Sequence, residues 1–419
     1  MATETIKQPK QARWQWTPDK FLWALGIAGL LVGGIGLVER FLHGLRPTDL
    51  GSFVPWGLWV AAYEYLVWLE VGSLFMFTLL VYVFKWKEAL PGMARMLYLT
   101  ALAILGMALI LIGLDLGHPF RAVYVIFYPQ WGSLMTWMIW LHVIYMGVLL
   151  GKLFIELRPP SAQLKRIGLL LSYASMPMGL ALVVVAGSVF GVVIGRPAWQ
   201  SSALPLYFLL SALVAGTGLL TFQFVLFWPG KRGEAYLRMA RKLGQLLLAL
   251  LIVGLISSAL GGLVILYPGV PAQATALQLT LFGPFWWVYW IIHLGFGVIV
   301  PIALLLTYSQ SARRIGLAAG LLIVTFIAVP LNIVIPPQLV VEVVEKGLVL
   351  AYQGPGLSTD YFPTLSEWLL TLCHVVRPAG FLVWLSRAAA TAERGRRNGA
   401  LKWQTKNQHT KTAFLAVNS

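Results

Sequence analysis

The stretch Met96 to Leu114 reads MLYLTALAILGMALILIGL, nineteen residues without a charge. As an α-helix it rises about 28 Å, close to the ~30 Å hydrocarbon thickness of a bilayer. Arg95 closes one end and Asp115 the other, so polar groups stand where lipid headgroups would begin. Nine further segments read the same way: 21–38, 54–84, 131–155, 167–195, 203–228, 243–267, 279–308, 315–335 and 365–384. Alternating ten-residue strands are absent, which sets a β-barrel aside. The predicted fold is all-α and integral to a membrane, with about ten transmembrane helices. The first apolar run is expected to stay as a helix rather than to be cleaved, because no small-residue cleavage site follows it.

Composition agrees with lipid as the outer solvent. Of 419 residues 59% are hydrophobic and 11% charged, against about 25% charged in a soluble domain, and the mean hydropathy is +0.79. The net charge of +16 does not point to nucleic acid, because the basic residues sit in short clusters between apolar runs. Alternate connections carry them. One set holds 25 Lys and Arg: the N-terminal segment, Lys85/Lys87/Arg95, Lys152/Arg158/Lys165/Arg166, the 231–242 cluster, Arg313/Arg314 and the tail from Arg387. The other set holds five, namely Arg40, Arg46, Arg121, Arg196 and Lys346. By the positive-inside rule both ends face the cytoplasm. The expected organisation is a cytoplasmic segment 1–20, a transmembrane domain 21–386 and a basic cytoplasmic tail 387–419. The loop from Pro336 to Thr364 is then the longest outer segment. A lone cysteine, Cys373, cannot make an intramolecular disulfide or a cysteine-ligated cluster.

Charged side chains inside a membrane cost at least ~2.5 kcal/mol on insertion scales, so each marks a functional candidate. Glu64 and Glu70 lie on the second span, six residues apart and pointing in different directions. His142 lies about 16 Å of helix rise from Trp131 on the fourth, and His293 and His374 sit at comparable depths on the eighth and tenth. Gln223, Asn332 and Arg377 complete the polar set. A histidine alone can serve merely as an interhelical hydrogen-bonding group, but this many ionisable groups points to proton handling or a polar ligand. No span carries two histidines, so two bis-histidine haems are excluded; no haem and no metal are expected in this chain. Directly after the third span, Gly113-Leu-Asp115-Leu-Gly117-His-Pro119-Phe-Arg121 ends the helix and sets Asp115 and Arg121 to pair at the membrane edge.

Several segments in fixed order resemble the polysulfide-reductase membrane-subunit (NrfD-like) family. They are Pro55-Trp56-Gly57-Leu58-Trp59, the Asp115-to-Arg121 motif, Trp131-Gly132-Ser133-Leu134-Met135-Thr136-Trp137, Arg196-Pro197-Ala198-Trp199 with Leu204-Pro205-Leu206-Tyr207, and Tyr361-Phe362-Pro363-Thr364 with Glu367-Trp368. The resemblance implies two four-helix bundles, helices 2–5 (residues 54–195) and 6–9 (203–335), with two flanking helices. It implies a bacterial inner-membrane subunit that binds menaquinone or ubiquinone near the outer face. Electrons would pass to or from a ferredoxin-type iron–sulfur subunit, with a molybdopterin or other catalytic subunit beyond it. On that basis Trp56, Glu64, Asp115, Arg121 and His142 are the expected quinone contacts, His142 and Asp115 the catalytic pair, and Glu70, His293 and His374 the proton relay. The family's small residues after Pro-Trp-Gly are replaced here by bulk and two carboxylates from Glu64 to Glu70, which fits a proton path beside the pocket. A weak internal echo pairs Trp137-x-x-Trp140-x-His142 with Trp287-x-x-Trp290-x-x-His293. A transporter or a purely structural anchor remains the rival reading; transporters favour polar breaks at midspan, whereas these Gly/Pro motifs lie at span ends.

Overall fold

In the computed structural model, residues 18–374 are described except 87–89, 160, 229–231, 268–270, 309–310 and 341–359. Among the described residues the chain is all helix and turn, with no strand. In lipid no water can satisfy exposed amides, so the chain satisfies them within its helices.

The order is α1 (Pro18–His43), α2 (Leu58–Thr78, continued by a π-helical turn Leu79–Val83), α3 (Ala94–Asp115) and the short α4 (Tyr124–Phe127). Then come α5 (Leu134–Leu157), α6 (Ala162–Gly191), α7 (Leu204–Phe227), α8 (Glu234–Leu266) and α9 (Pro271–Phe282). A π-helix Val288–Ile299 leads into α10 (Val300–Tyr308), followed by α11 (Ala312–Thr325) and α12 (Ala328–Leu339). Residues 365–374 form a last helical stretch, α13. Nine helices among the described residues are long and apolar enough to cross a membrane. The tenth expected span coincides with α13 as far as residue 374; its remainder, Arg377 and the 387–419 tail lie outside the described residues.

Several boundaries differ from the sequence reading: α8 begins at Glu234 rather than near residue 243, and the ninth span is made of α11 and α12. The eighth span is divided: α9 stands apart and the π-helix begins the crossing. The outer connection expected from Pro336 starts later, because α12 runs on to Leu339 with Pro336 and Pro337 inside it.

Helix α2 is central. Apart from Glu64, Glu70 and small polar residues it is apolar on every face, and 20 of its 21 residues are buried. It packs on α3, α6, α7 and α12, while α5 packs on α3 and α6. Helices α7, α8, α10 and α11 pack on one another, with α7 meeting α2 and α6. The α2–α7 crossing depends on glycine at one point: a Cβ on Gly72 would lie 1.8 Å from the Ala212 carbonyl oxygen, and one on Gly216 2.0 Å from the Gly72 carbonyl carbon. Such backbone contact between helices needs small residues at the crossing. Long α8, by contrast, buries only seven of its 33 residues, as a helix facing lipid does.

Candidate functional site

A cavity of about 500 Å³ opens between α2, α3 and α5, near the end of the molecule where α2 and α5 begin and α3 stops. Each helix contributes one face. Val60, Tyr63 and Glu64 follow helical spacing at the head of α2, with Trp56 just before it; Leu109, Ile112 and Gly113 do so on α3, with Leu116 just after it; Met135, Met138, His142 and Met146 do so on α5. Val189 and Phe190 of α6, and Ala122 and Val123 of the turn after α3, complete the lining. The walls are apolar and methionine-rich, and the polar groups are few.

His142 is 3% exposed. Its Nδ1 stands 2.8 Å from the Met138 carbonyl, one turn back, and its Nε2 3.2 Å from the Tyr63 hydroxyl. A carbonyl can only accept, so the neutral ring donates from Nδ1 and Nε2 accepts from Tyr63. Glu64 stands beside Tyr63 on the same wall. Among the described residues its Oε2 has no hydrogen-bond partner, and neither has Asp115 Oδ1 at the end of α3. Buried acceptors of this kind call for a donor from a ligand or solvent.

Trp56 is held firmly. Its ring stacks on Trp199 at 5.4 Å and meets the edge of Phe190 at 5.2 Å. Its backbone is gripped by Gln338: Trp56 N–H donates to Gln338 Oε1 at 3.1 Å, and Gln338 Nε2 donates to the Trp56 carbonyl at 2.6 Å. Arg196 donates to the Gln338 carbonyl at 3.0 Å and to the Phe53 carbonyl, tying its own connection to the one before α2 and to the end of α12. Burial lowers the Arg196 guanidinium from its ordinary value.

The first amides of α2 are closed from afar. Tyr361 Oη accepts from Leu58 N–H at 2.9 Å and donates to Glu367 Oε1 at 2.6 Å. Glu367 Oε2 accepts from Thr364 N–H at 2.9 Å, a capping box that starts α13, and Trp59 Nε1 donates to the Glu367 carbonyl at 3.1 Å. Burial, with the negative Glu367 beside it, holds the Tyr361 phenol well above its usual range, so it stays a donor. The motif Tyr361-Phe-Pro-Thr364 with Glu367 therefore braces the site without lining it.

Of the expected quinone contacts, Trp56, Glu64, Asp115 and His142 line this one cavity. Arg121 does not. It is exposed on the turn Pro119–Val123, and no Asp115–Arg121 ion pair forms among the described residues. The cation near Asp115 is Arg40 of α1, buried to 6% exposure, which donates from Nε to the Leu114 carbonyl and from Nη2 to the Leu116 carbonyl, both at 2.7 Å. It closes the C-terminal end of α3 and lies within electrostatic reach of Asp115. The whole of α2 separates Arg40 from Asp115 in the chain, so local spacing gave no sign of it.

The expected relay residues are not all together. Glu70 lies deeper on α2, fully buried, with neither oxygen hydrogen-bonded among the described residues. His293, on the π-helix, lines a separate cavity of about 40 Å³ with Tyr207, Ser258 and Tyr289. The one-residue-longer spacing from Trp290 to His293 falls within that π-helix, whose wider turns absorb an extra residue. His374 is buried in α13, with Nδ1 2.8 Å from the Leu370 carbonyl. Lys152, counted with the charges of a connection although the expected span 131–155 contains it, sits inside α5 and is 2% exposed. Tyr63 was missed because tyrosine is common in spans, and Lys152 because it was grouped with the basic cluster Lys152/Arg158/Lys165/Arg166. The face spacing Val60–Tyr63–Glu64 was the signal that would have found Tyr63.

Comparison with known proteins bears on this cavity. The family model for polysulphide reductase, NrfD, matches residues 48–342, which takes in every helix that lines it. A selenate reductase subunit of Mesobacillus selenatarsenatis is 30% identical over 374 residues, covering 81% of this chain and 86% of that protein. An Hdr-like menaquinol oxidoreductase integral membrane subunit of Archaeoglobus fulgidus is 24% identical over 356 residues, covering 83% and 87%. A putative dimethyl sulfoxide reductase membrane subunit of Halobacterium salinarum is 28% identical over 217 residues, covering 47% and 49%. With nine apolar crossings among the described residues and this breadth of similarity, the chain is a multi-pass membrane protein that belongs to the NrfD (polysulphide reductase) family.

Proposed function

We propose that this chain is the quinone-reactive membrane subunit of a respiratory oxidoreductase complex. The observation that carries the reading is the 500 Å³ apolar cavity with Glu64, Asp115 and the Tyr63–His142 pair converging in it. Small-molecule sites are commonly of this size, apolar with a few convergent polar groups. A quinol ring with its isoprenoid tail has matching chemistry: an apolar body and two hydroxyls at opposite ends. The menaquinol oxidoreductase subunit and the selenate reductase subunit among the relatives are consistent with that chemistry.

On this reading the two quinol hydroxyls meet His142 and one of the two carboxyl groups. His142, oriented by Met138 through Nδ1, presents Nε2 to the ring and to Tyr63. Histidine can donate and accept near neutral pH, and a carboxylate of Glu64 or Asp115 takes the second proton. Oxidation of quinol breaks two O–H bonds and releases two protons and two electrons. The electrons go to a ferredoxin-type iron–sulfur partner, and from it to a molybdopterin or other catalytic subunit; quinone reduction runs the same steps backward. Trp56 and the apolar walls exclude water from the ring.

The charge asymmetry of the connections supports a reading with both chain ends in the cytoplasm and the cavity near the outer face of a bacterial inner membrane. The α2/α3/α5/α6 group is then the first of two four-helix bundles, and the α7–α12 group the second. His142→Ala tests the reading: insertion and complex assembly persist, and quinol-dependent turnover is lost. Unchanged turnover in that variant overturns it.

A further inference from the structure

A second cavity, of about 190 Å³, lies against the segment that braces the head of α2. Helix α12 presents one face to it, with Ala328, Leu331, Asn332 and Ile335 at helical spacing. Phe285, Trp287 and Val288 come from the entry to the π-helix, and Phe362 and Trp368 from the segment that carries Tyr361 and Glu367. The Phe285 and Phe362 rings stack within 4° of parallel, 5.8 Å apart, so one wall is flat. Phe285, Val288, Ala328 and Ile335 also form one buried cluster with Val54 and Tyr361, which makes the cavity wall continuous with the brace.

Into this apolar lining one amide side chain enters. Asn332 Nδ2 is buried and has no hydrogen-bond acceptor among the described residues, although a buried amide donor calls for one. Polar groups in a span are costly, and the quinone chemistry above leaves this one unused. Water answers the need poorly. A buried water wants two to four polar partners, and an apolar cavity of roughly 150 Å³ stays dry and takes a benzene ring instead. The fitting occupant is therefore a flat apolar body that carries a hydrogen-bond acceptor. A phospholipid ester has the acceptor but brings a phosphate, and among the described residues no Lys or Arg lines the cavity to meet it. A quinone ring satisfies both demands, with faces for the aromatic walls and a carbonyl oxygen for Asn332.

We propose that the cavity between α12, the entry to the π-helix and Trp368 is a second quinone site, in which Asn332 Nδ2 donates to a ring carbonyl. At less than half the size of the larger cavity, it takes the ring and leaves the isoprenoid tail outside. Among the described residues no acid, base or histidine lines it, so nothing there gives or takes the protons that quinone turnover needs. The ring is held, not turned over. It fills the space behind Trp368 and Phe362 and so supports the segment through which Tyr361 and Glu367 close the head of α2. The ligand class rests on the quinone reading of the larger cavity; the place of the site rests on Asn332 and the flat walls.

The test is photolabelling of the whole purified complex with an azido-menaquinone, mapped by peptide and competed separately by menaquinone and by cardiolipin. Label is expected on Ile327–Ile335 and Phe285–Ile292 as well as on Met135–Met146, competed by menaquinone and not by cardiolipin. Asn332→Leu nearly keeps the volume and removes the donor. It should lower label on Ile327–Ile335 about fivefold or more and leave label on Met135–Met146 within about twofold, which also reports a folded complex. If Asn332→Leu does not assemble, the wild-type map decides alone. Label on Met135–Met146 without Ile327–Ile335, or undiminished label on Ile327–Ile335 in Asn332→Leu, overturns the second site and leaves the larger cavity standing. Competition by cardiolipin gives the cavity to lipid and overturns it as well. Menaquinone-competed label on Ile327–Ile335 and Phe285–Ile292 alone supports the second site and overturns the quinone reading of the larger cavity; no competed label anywhere overturns both.

Discussion

The brace outside the cavity makes a sharp prediction about one oxygen atom. Tyr361→Phe keeps the ring, which is 4% exposed, and removes only Oη. That atom accepts from Leu58 N–H at 2.9 Å and donates to Glu367 Oε1 at 2.6 Å. Leaving the buried Leu58 amide unpartnered costs about 1–3 kcal/mol, and a hydrogen bond to a charged group contributes about 1.5–3 kcal/mol. Glu367 keeps its bonds from Thr364, so the two costs do not fully add, and we expect a loss of about 2–4 kcal/mol. At about 1.4 kcal/mol per factor of ten, the unfolding equilibrium shifts by roughly 30- to 700-fold. The assay is equilibrium unfolding in mixed micelles, followed by tryptophan fluorescence. Tyr124→Phe serves as the control, since Tyr124 is 58% exposed. A loss below about 0.5 kcal/mol for Tyr361→Phe would refute the claim that this phenol closes the head of α2.

Three further outcomes follow from the same structure. Gly72→Leu drives a side chain into the Ala212 carbonyl, which belongs to backbone and cannot swing aside; overpacking costs about 1–3 kcal/mol or more, and assembled protein recovered from membranes should fall sharply. Arg40→Ala strips the closure from the end of α3 and should reduce quinol turnover severely, whereas Arg121→Ala, on an exposed turn, should stay within about twofold of wild type; the reverse order would show that Arg121 is the working partner of Asp115. Tyr63→Phe removes the donor to His142 Nε2, about 1 kcal/mol of orientation, and should raise the KM for quinol about fivefold while the complex assembles normally; an unchanged KM would separate Tyr63 from the site.

Much of the cavity was legible in the sequence because membranes make polar residues rare. Glu64, Asp115 and His142 stood out as ionisable groups in apolar runs, and Trp56 as part of an ordered motif; all four line one cavity. What escaped was long-range pairing and the reach of long side chains. Arg121 is six residues from Asp115 and looked like its partner, but the turn Pro119–Val123 carries it outward while Arg40 arrives from α1. Lys152 looked like one more charge in the Lys152/Arg158/Lys165/Arg166 cluster. Helix α5 runs five residues past it to Leu157, and its apolar stem carries the ammonium inward to Ser172. The division of the eighth span had a local cause as well: Gly283 and Pro284 break the helix between the last turn of α9 and the π-helix, while the apolar run that starts at Leu279 continues across them. Hydropathy registers solvent, not hydrogen-bond register, so it ran the two together.

The central claim is that quinone binds between α2, α3 and α5. Photocrosslinking with an azido-quinone, followed by peptide mapping of the full complex, tests it most directly. Label is expected on the Trp56–Glu64, Leu109–Leu116 and Met135–Met146 segments, competed by unlabelled quinone and lost in His142→Ala. Competable label confined to α8, α9 or the π-helix, with these three segments unlabelled, would contradict it.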